Sequence, residues 1–410
     1  MPNEDTRTAE VLRADLMPPG QITTMGMPLF TMSAGPIEVS DRVLHAISTQ
    51  TLDQYDPLFL EIYHETTAKI AAVFQTKNDV IIQHGEAVLA LESAAAGTVE
   101  PGDKCLVLAS GPFGKGYGRH ITSRGGELLE IAVPFNESID PGAVRDMFER
   151  HPDIRVMSVV HCETPAGTLN PIAEICPIAK EYGAITIVDG VSSVGGHQML
   201  PDEWGVDILI AGPQKSLGGI TGAGLVAVSE DAWEKMRSRS KPVRGSVLSM
   251  LDWKERWLEG GRFPYTPMVH QVYALNAAMT QLLEEGLENA FARHHSAAKA
   301  CRAGIKAMGL ELWAASEAIA ADCVTAVTVP DGLTEQQIVG TMRRDQRVTI
   351  SGGLGELIGK LFRIGHMGKM GQVLDVVVAL AALEKTLVGL GVRIPPGAGV
   401  SAALATWVGT

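Results

Sequence analysis

Short apolar runs alternate along the first two thirds of the chain with stretches whose apolar positions recur at helical spacing. A continuous Val/Ile/Leu run of a few residues is typical of a strand buried on both faces, whereas a spacing of three to four is typical of an amphipathic helix. The runs predict strands at Asp79–His84, Lys104–Ala109, Val156–His161, Ala184–Asp189, Ile208–Ala211 and Gly224–Val228. Strands that alternate with helical stretches indicate an α/β fold with a mostly parallel sheet between two layers of helices.

The helical stretches have recognisable starts. Ser40 is a suitable N-cap for a helix that carries Val43 and Leu44, and a second helix follows the break at Tyr55-Asp-Pro57. A third helix begins directly after Gly85 and is rich in alanine. Around Gln271 the pattern changes to long amphipathic helices.

The same pattern predicts four parts of the chain. Residues 1–29 form a polar arm, 30–289 a large domain, 290–394 a smaller C-terminal α/β domain, and 395–410 an apolar tail to which we assign no role. The strands predicted for the smaller domain are Thr325–Val329, Arg347–Ile350 and Leu361–Ile364.

Composition and charge narrow the class of protein. The 410 residues are 46% hydrophobic and 20% charged, as in an ordinary globular enzyme. A net charge of −13 disfavours nucleic acid or an anionic membrane as a partner. No apolar run approaches the ~20 residues that span a bilayer, and the acidic, polar first residues lead us to expect no secretion signal. Five scattered cysteines without a C-x-x-C pair indicate reduced thiols, so we expect a cytoplasmic protein.

Two predicted strands end at single charged residues. Asp189 ends one apolar run, and Lys215 follows the other through Gly212-Pro-Gln. The carboxyl ends of strands in an open α/β sheet are where such proteins present their chemistry. An amine and a carboxylate placed there suit a Schiff base with a pyridoxal aldehyde, with the carboxylate keeping the pyridine nitrogen protonated. The alternatives are a surface lysine and an aspartate that caps the Ser192–Ser193 turn.

From Ser33-Ala-Gly-Pro36 to Arg363-Ile-Gly-His-Met-Gly368, the chain resembles the class V branch of the fold-type I pyridoxal-dependent aminotransferases. The resemblance implies a large domain with a seven-stranded, mostly parallel sheet and a smaller C-terminal domain. It assigns the Schiff base and proton transfer to Lys215 and the pyridinium partner to Asp189. It also implies that Phe113 stacks on the ring and that Thr164 donates to the ring oxygen or to Asp189, unless these two are merely core and turn residues.

The other residues implied by the resemblance bind the two ends of the substrates. Arg363 would hold a substrate carboxylate rather than an internal ion pair, near Gly35. Gln214 would meet a phosphate or a 5′-hydroxyl group, and Tyr265 and Thr266 would serve the site of a partner subunit. We therefore expect a homodimer or homotetramer.

Glu86 departs from the family pattern. Relatives that use pyridoxal 5′-phosphate place small or hydroxyl residues at this helix N-terminus, where backbone N–H groups hold the phosphate. A carboxylate there would fill the anion site and repel a phosphate dianion, unless Glu86 is only a helix-start acid without a role in the site. Phe263 agrees with this departure, because phosphate users commonly place a tyrosine at that position.

Two further departures concern the amino acceptor. Leu354 stands where close relatives carry a second arginine, and Asp53 stands where a relative has a tyrosine. Relative to those relatives, this chain lacks one cation and has one additional anion. The resemblance is therefore weaker for the residues that bind the amino acceptor than for those that bind pyridoxal.

We therefore expect an aminotransferase that moves an amino group between free pyridoxamine and a 2-oxo acid. Pyruvate is the first candidate for this acid, so the products would be pyridoxal and L-alanine, and the reaction would belong to vitamin B6 degradation. Free pyridoxal would bind as a substrate through Lys215 without a separate cofactor. The alternatives are a pyridoxal 5′-phosphate enzyme of the alanine– or serine–glyoxylate kind and a non-catalytic sensor of the vitamin. The histidines lack metal-ligand spacing, and we expect no metal. The glycine-dense stretch 111–118 misses the dinucleotide fingerprint and is interpreted as a loop that accommodates the ring.

Overall fold

The computed structural model describes residues 28–407, so the predicted arm lies outside the described residues up to residue 27. In chain order, the strands of the described residues are β1 Phe30–Thr31, β2 Asp79–His84, β3 Lys104–Ala109, β4 Glu127–Ala132, β5 Ile154–Val160, β6 Cys162–Glu163, β7 Thr168–Leu169, β8 Ile185–Asp189, β9 Ile208–Ala211, β10 Ala223–Val228, β11 Val324–Thr328, β12 Val348–Thr349, β13 Ser351–Gly352 and β14 Leu361–Gly365. The α-helices are α1 Asp41–Ile47, α2 Pro57–Phe74, α3 Ala87–Thr98, α4 Pro112–Ser123, α5 Pro141–Arg150, α6 Ile172–Glu181, α7 Pro201–Trp204, α8 Glu230–Arg237, α9 Met250–Asp252, α10 Val269–Glu285, α11 Leu287–Ala307, α12 Glu335–Thr341, α13 Val373–Gly389 and α14 Ala398–Thr406.

A seven-stranded sheet organises the larger part of the molecule. Its order is β2-β10-β9-β8-β5-β3-β4, and β10 alone runs antiparallel to its two neighbours. The predicted mostly parallel sheet is thus confirmed. The central strands are almost entirely buried, as their continuous apolar runs require. Edge strand β4 was not predicted, because its residues alternate between partly buried and exposed positions and form no apolar run.

The smaller part contains a three-stranded antiparallel sheet in the order β11-β14-β13 and its own apolar core. The segment predicted as Arg347–Ile350 forms β12, but β12 pairs with β1 rather than with this sheet. The predicted boundary between residues 289 and 290 falls in the first turn of α11 and stays a prediction. Within the tail, α14 packs against α11 and α13. No helix among residues 28–407 is long and apolar enough to cross a membrane.

The interpretation of residues 111–118 as a loop is wrong, because α4 begins at Pro112 and continues to Ser123. The glycines allow this helix to lie close to the sheet. A Cβ on Gly114 would be 2.5 Å from the carbonyl oxygen of Leu108 in β3, and one on Gly118 would be 3.0 Å from the side chain of Leu128 in β4. Close packing against the strands therefore outweighs the low helix propensity of glycine.

Candidate active site

Lys215 and Asp189 meet at one edge of the seven-stranded sheet. Strand β8 ends at Asp189, which pairs with Ile210 of β9, and Lys215 follows β9 by four residues. The Lys215 ammonium donates to the carbonyl oxygen of Ala34. Gly35 has a φ of +99°, and a Cβ there would lie 2.5 Å from Lys215 Nζ, so only glycine leaves room for the amine. The structure thus joins Gly35 to the predicted site.

The surroundings shift the pKa values of Lys215 and Asp189. Burial lowers the pKa of Lys215, and the positive charge of Arg363 lowers it further. A lower pKa makes the neutral amine, which is the nucleophilic form, more available. Burial raises the pKa of Asp189 to about 6, although the N–H of Val191 donates to its carboxylate at 3.0 Å and opposes the rise. Asp189 therefore caps the turn before Ser192, as the alternative interpretation predicts. It also lines the cavity next to Phe113.

Glu86 is exposed in the single chain but contacts the residue that precedes Lys215. As the N-cap of α3, it accepts through Oε2 from the N–H of Val88 at 2.9 Å. Its other carboxylate oxygen accepts from Gln214 Nε2 at 2.9 Å, next to Lys215 in the chain. The negative charge of Glu86 also contributes to the raised pKa of Asp189. A carboxylate therefore occupies the N-terminal end of α3, as predicted.

Gln214 is oriented by the same contact. Because its amide nitrogen donates to Glu86, its Oε1 must point the other way. That oxygen is buried and accepts no hydrogen bond within the described part of the chain. A buried acceptor without a donor is costly, so this position favours a ligand that brings an O–H or N–H group.

Phe113 and Thr164 lie near Asp189 in different ways. Phe113, in the first turn of α4, lines a small cavity together with Asp189, and 40% of its surface is exposed in the single chain. The Thr164 hydroxyl pairs with the hydroxyl of Ser192. No hydrogen bond joins Thr164 to Asp189 in the described part of the chain, where the N–H of Val191 serves the carboxylate, and donation from Thr164 to the ring oxygen stays a prediction.

Arg363 is a cation without a carboxylate partner within 4 Å among the described residues. It lies in β14, with Nε donating to the carbonyl of Gly352 at 2.8 Å and Nη1 to the carbonyl of Thr164 at 3.3 Å. Burial lowers its pKa to about 10. The alternative of an internal ion pair is therefore wrong for the described chain, and a partly buried guanidinium without a counterion favours binding of an anion.

Leu354 and Asp53 are both exposed, and no hydrogen bond or ion pair in the described structure joins Asp53 to Arg363. The Asp53 carboxylate instead accepts from the N–H of Tyr55 at 2.8 Å, in the turn before α2. Beside Leu354, the exposed carboxylate of Glu356 forms an ion pair with Lys115 of α4 at 2.5 Å. This contact joins the two parts of the molecule close to Phe113.

The loop expected to serve a partner subunit contains both exposed and buried side chains. Thr266 is exposed, whereas the Tyr265 hydroxyl accepts from Trp253 Nε1 at 3.0 Å and its ring contacts His84. Phe263 is only 3% exposed, and its ring stacks on Trp257 with centroids 3.8 Å apart. Phe263 packs in the core of its own chain, and its replacement of a phosphate-binding tyrosine stays a prediction.

Glu163 is a site residue that the sequence analysis missed. It is fully buried beside Thr164, and its carboxylate accepts from the N–H groups of Phe113 and Gly114. The available signal was an acidic residue within an otherwise buried segment that ends a strand. No group of three or more metal-ligating side chains occurs among residues 28–407.

Comparisons with known proteins agree with this geometry. Residues 42–357 match the family model "Aminotransferase class-V". The chain is 43% identical to a pyridoxamine–pyruvate transaminase of Mesorhizobium japonicum over 92% of its own length and 96% of the relative. It is 31% identical to a serine–glyoxylate aminotransferase of Methylorubrum extorquens, over 90% and 93%. A crystal structure of pyridoxamine–pyruvate aminotransferase from Mesorhizobium loti superposes with a TM-score of 0.90 at 42% identity and covers 95% of this chain and 98% of that one.

Proposed function

The chain belongs to the class-V aminotransferases, and from that premise we propose that it transfers an amino group from free pyridoxamine to pyruvate, giving pyridoxal and L-alanine. The proposal draws on a 43% identical relative that carries this activity in its name. It also draws on the ring half of the site, where Lys215, Asp189 and Phe113 fit a pyridoxal ring. We place the reaction in the breakdown of vitamin B6, since it releases the unphosphorylated aldehyde.

One observation carries the choice of a free vitamin over its phosphate. The N-terminal end of α3 already holds the carboxylate of Glu86, which takes the N–H of Val88 and the amide of Gln214. A phosphate dianion would compete for the same donors and be repelled by the carboxylate. The phosphate end of pyridoxal 5′-phosphate therefore does not fit these residues, although the ring does.

The unpartnered oxygen of Gln214 supports the same choice. A free vitamin has a 5′-hydroxyl group that can donate a hydrogen bond to this acceptor, whereas a phosphate dianion has no proton to give. Because an unpaired buried acceptor costs on the order of 1–3 kcal/mol, the contact adds to the selectivity that Glu86 provides.

Different residues of the chain have different roles in the proposed reaction. The pyridine ring supplies the electron sink when it is bound. Asp189 holds the proton on the ring nitrogen. The free amine of Lys215 moves a proton between C4′ of the vitamin and the α-carbon of the amino or oxo acid. Phe113 covers a ring face and excludes water, while Arg363 binds the carboxylate of pyruvate or L-alanine through its guanidinium.

An absorbance assay tests the function. Purified protein is mixed with pyridoxamine or pyridoxamine 5′-phosphate and with pyruvate or glyoxylate, and the formation of the aldehyde is followed. We expect turnover with free pyridoxamine and pyruvate and little with the phosphate. Protein that keeps pyridoxal 5′-phosphate through gel filtration and ignores pyridoxamine would instead be a phosphate-dependent alanine– or serine–glyoxylate-type enzyme.

We also propose a homodimer or homotetramer in which the loop at Tyr265 and Thr266 approaches the partner's site. The exposure of Thr266 in the single chain supports this arrangement. Light scattering coupled to size-exclusion chromatography gives the mass, and a monomer at micromolar concentration contradicts the proposal.

A further inference from the structure

The N-terminal N–H groups of helix α4 are capped by a residue from a different element. Gly111 occupies the N-cap position and has no side chain to cap the helix. Glu163 of β6 supplies the missing acceptors, with Oε1 2.6 Å from the N–H nitrogen of Gly114 and Oε2 3.3 Å from that of Phe113. The carboxylate therefore fixes the backbone of the turn from which the Phe113 ring projects.

The space around Glu163 is closely fitted to its carboxylate. A Cβ on Gly111 would lie 2.5 Å from Oε2, and one on Gly114 would lie 3.1 Å from Oε1. A side chain at either position would push the carboxylate out of place. The two glycines thus leave the room that this cap requires.

The main chain of Glu163 holds a second part of the site. Its carbonyl oxygen accepts from the N–H groups of Ala166 at 3.0 Å and Gly167 at 2.8 Å, which closes the turn that contains Thr164. The carbonyl of Thr164 in turn accepts from Arg363. One buried residue therefore connects the turn at Thr164 with the first turn of α4.

We propose that Glu163 is a positioning residue that holds the Phe113 ring against the face of the bound pyridine ring. The inference rests on the proposed function, because it takes Phe113 to be the stacking residue. Phe113 lines a small cavity together with Asp189, and 40% of its surface is left exposed by its own chain. Without the carboxylate, the N–H groups of Phe113 and Gly114 lose their acceptor, and this turn loses its anchor.

The chain contains a matched control for the experiment. Glu384 of α13 caps α14 from outside in the same way, accepting from the N–H groups of Gly397 at 2.6 Å and Gly399 at 3.3 Å. Glu163→Met and Glu384→Met each remove one carboxylate that caps a helix from another element. Only the first is expected to change ring binding, measured as the Kd of pyridoxal and of pyridoxal 5′-phosphate by absorbance titration.

A double-mutant cycle with Phe113→Ala separates positioning from general destabilisation. Aromatic stacking of about 1.4 kcal/mol corresponds to a tenfold change, so we expect Phe113→Ala and Glu163→Met each to raise the Kd about tenfold. In the Phe113→Ala background, Glu163→Met should have less than a twofold further effect. The KM for pyridoxamine should rise with the Kd, while the KM for pyruvate stays unchanged.

The opposing outcomes are distinct. Independent, multiplying effects of Glu163→Met and Phe113→Ala, or an equal effect from Glu384→Met, would overturn the positioning role. If Glu163→Met does not fold, Glu163→Gln replaces it: its amide oxygen can still serve Gly114, so we expect a smaller rise in Kd that also vanishes without the Phe113 ring. Ring binding is read with both vitamers, so a parent enzyme that fails to use pyridoxamine refutes the proposed function and leaves this cycle readable.

Discussion

Replacement of Glu86 by glutamine tests the central electrostatic argument. The substitution removes one negative charge at the start of α3 and keeps the size of the side chain. The amide oxygen can still accept from Val88 or from Gln214, but the amide nitrogen cannot replace the second acceptor. Loss of part of an N-cap costs about 0.5–1 kcal/mol of stability, which leaves the fold intact.

The magnitude follows from Coulomb's law. A charge of −1 and a phosphate of about −2 that share one helix end at a separation of ~4 Å repel by about 8 kcal/mol at an effective dielectric of 20 and by about 2 kcal/mol in water. Glu86 is exposed in the single chain, so the aqueous value is the appropriate one. It corresponds to a change of about 30-fold in relative affinity.

The assay compares the Kd of pyridoxal with that of pyridoxal 5′-phosphate for the parent and for Glu86→Gln. We expect the ratio to shift about 30-fold toward the phosphate, and the parent's preference to narrow as ionic strength rises. Asp140→Asn is the control, because Asp140 caps α5 through the N–H of Gly142 at 3.0 Å and belongs to another helix. A ratio that stays within threefold of the parent's would refute the reasoning.

Three further predictions concern other charges of the site. Arg363→Lys should raise the KM for pyruvate 10- to 100-fold and leave the KM for pyridoxamine unchanged, because lysine lacks the planar fork, as steady-state kinetics will show. The kcat/KM for pyridoxamine should bend downward below a pH of about 6, where Asp189 takes up a proton; a flat profile down to pH 5 contradicts this. Burial raises the pKa of Glu163 from 4.5 to about 8, so its folded form binds more protons and stability falls as pH rises between these values. Glu163→Gln should therefore gain, relative to the parent, on the order of a few kcal/mol of unfolding free energy between pH 5 and 9, measured by urea denaturation.

The sequence predicted well those features that depend on local patterns. Strands Asp79–His84 and Lys104–Ala109 have the predicted bounds because each is an apolar run between polar residues. The convergence of Asp189 and Lys215 followed from parallel strands that end at one edge of a sheet. Glu86 was identified because a carboxylate immediately before an alanine-rich helix has a definite physical preference.

The remaining features depend on contacts between distant segments. Helix α4 was missed because glycines count against a helix in local reasoning, whereas Gly114 is required by the neighbouring carbonyl of Leu108. Glu163 was missed because its hydrogen-bond donors lie about fifty residues earlier in the chain. The burial of Phe263 was not predicted because nothing in its local sequence shows that Trp257 stacks on it.

The ion pair between Lys115 and Glu356 bears on how reactants come and go. Both side chains are more than half exposed, at 52% and 59%, and such surface pairs contribute about 0–1 kcal/mol. This ion pair is therefore a weak contact between the two parts of the molecule, which Arg363 also joins through the carbonyl of Thr164. Under the proposed function, in which free vitamers bind and leave in every cycle, a contact this weak next to Phe113 adds little to the energetic cost of that exchange.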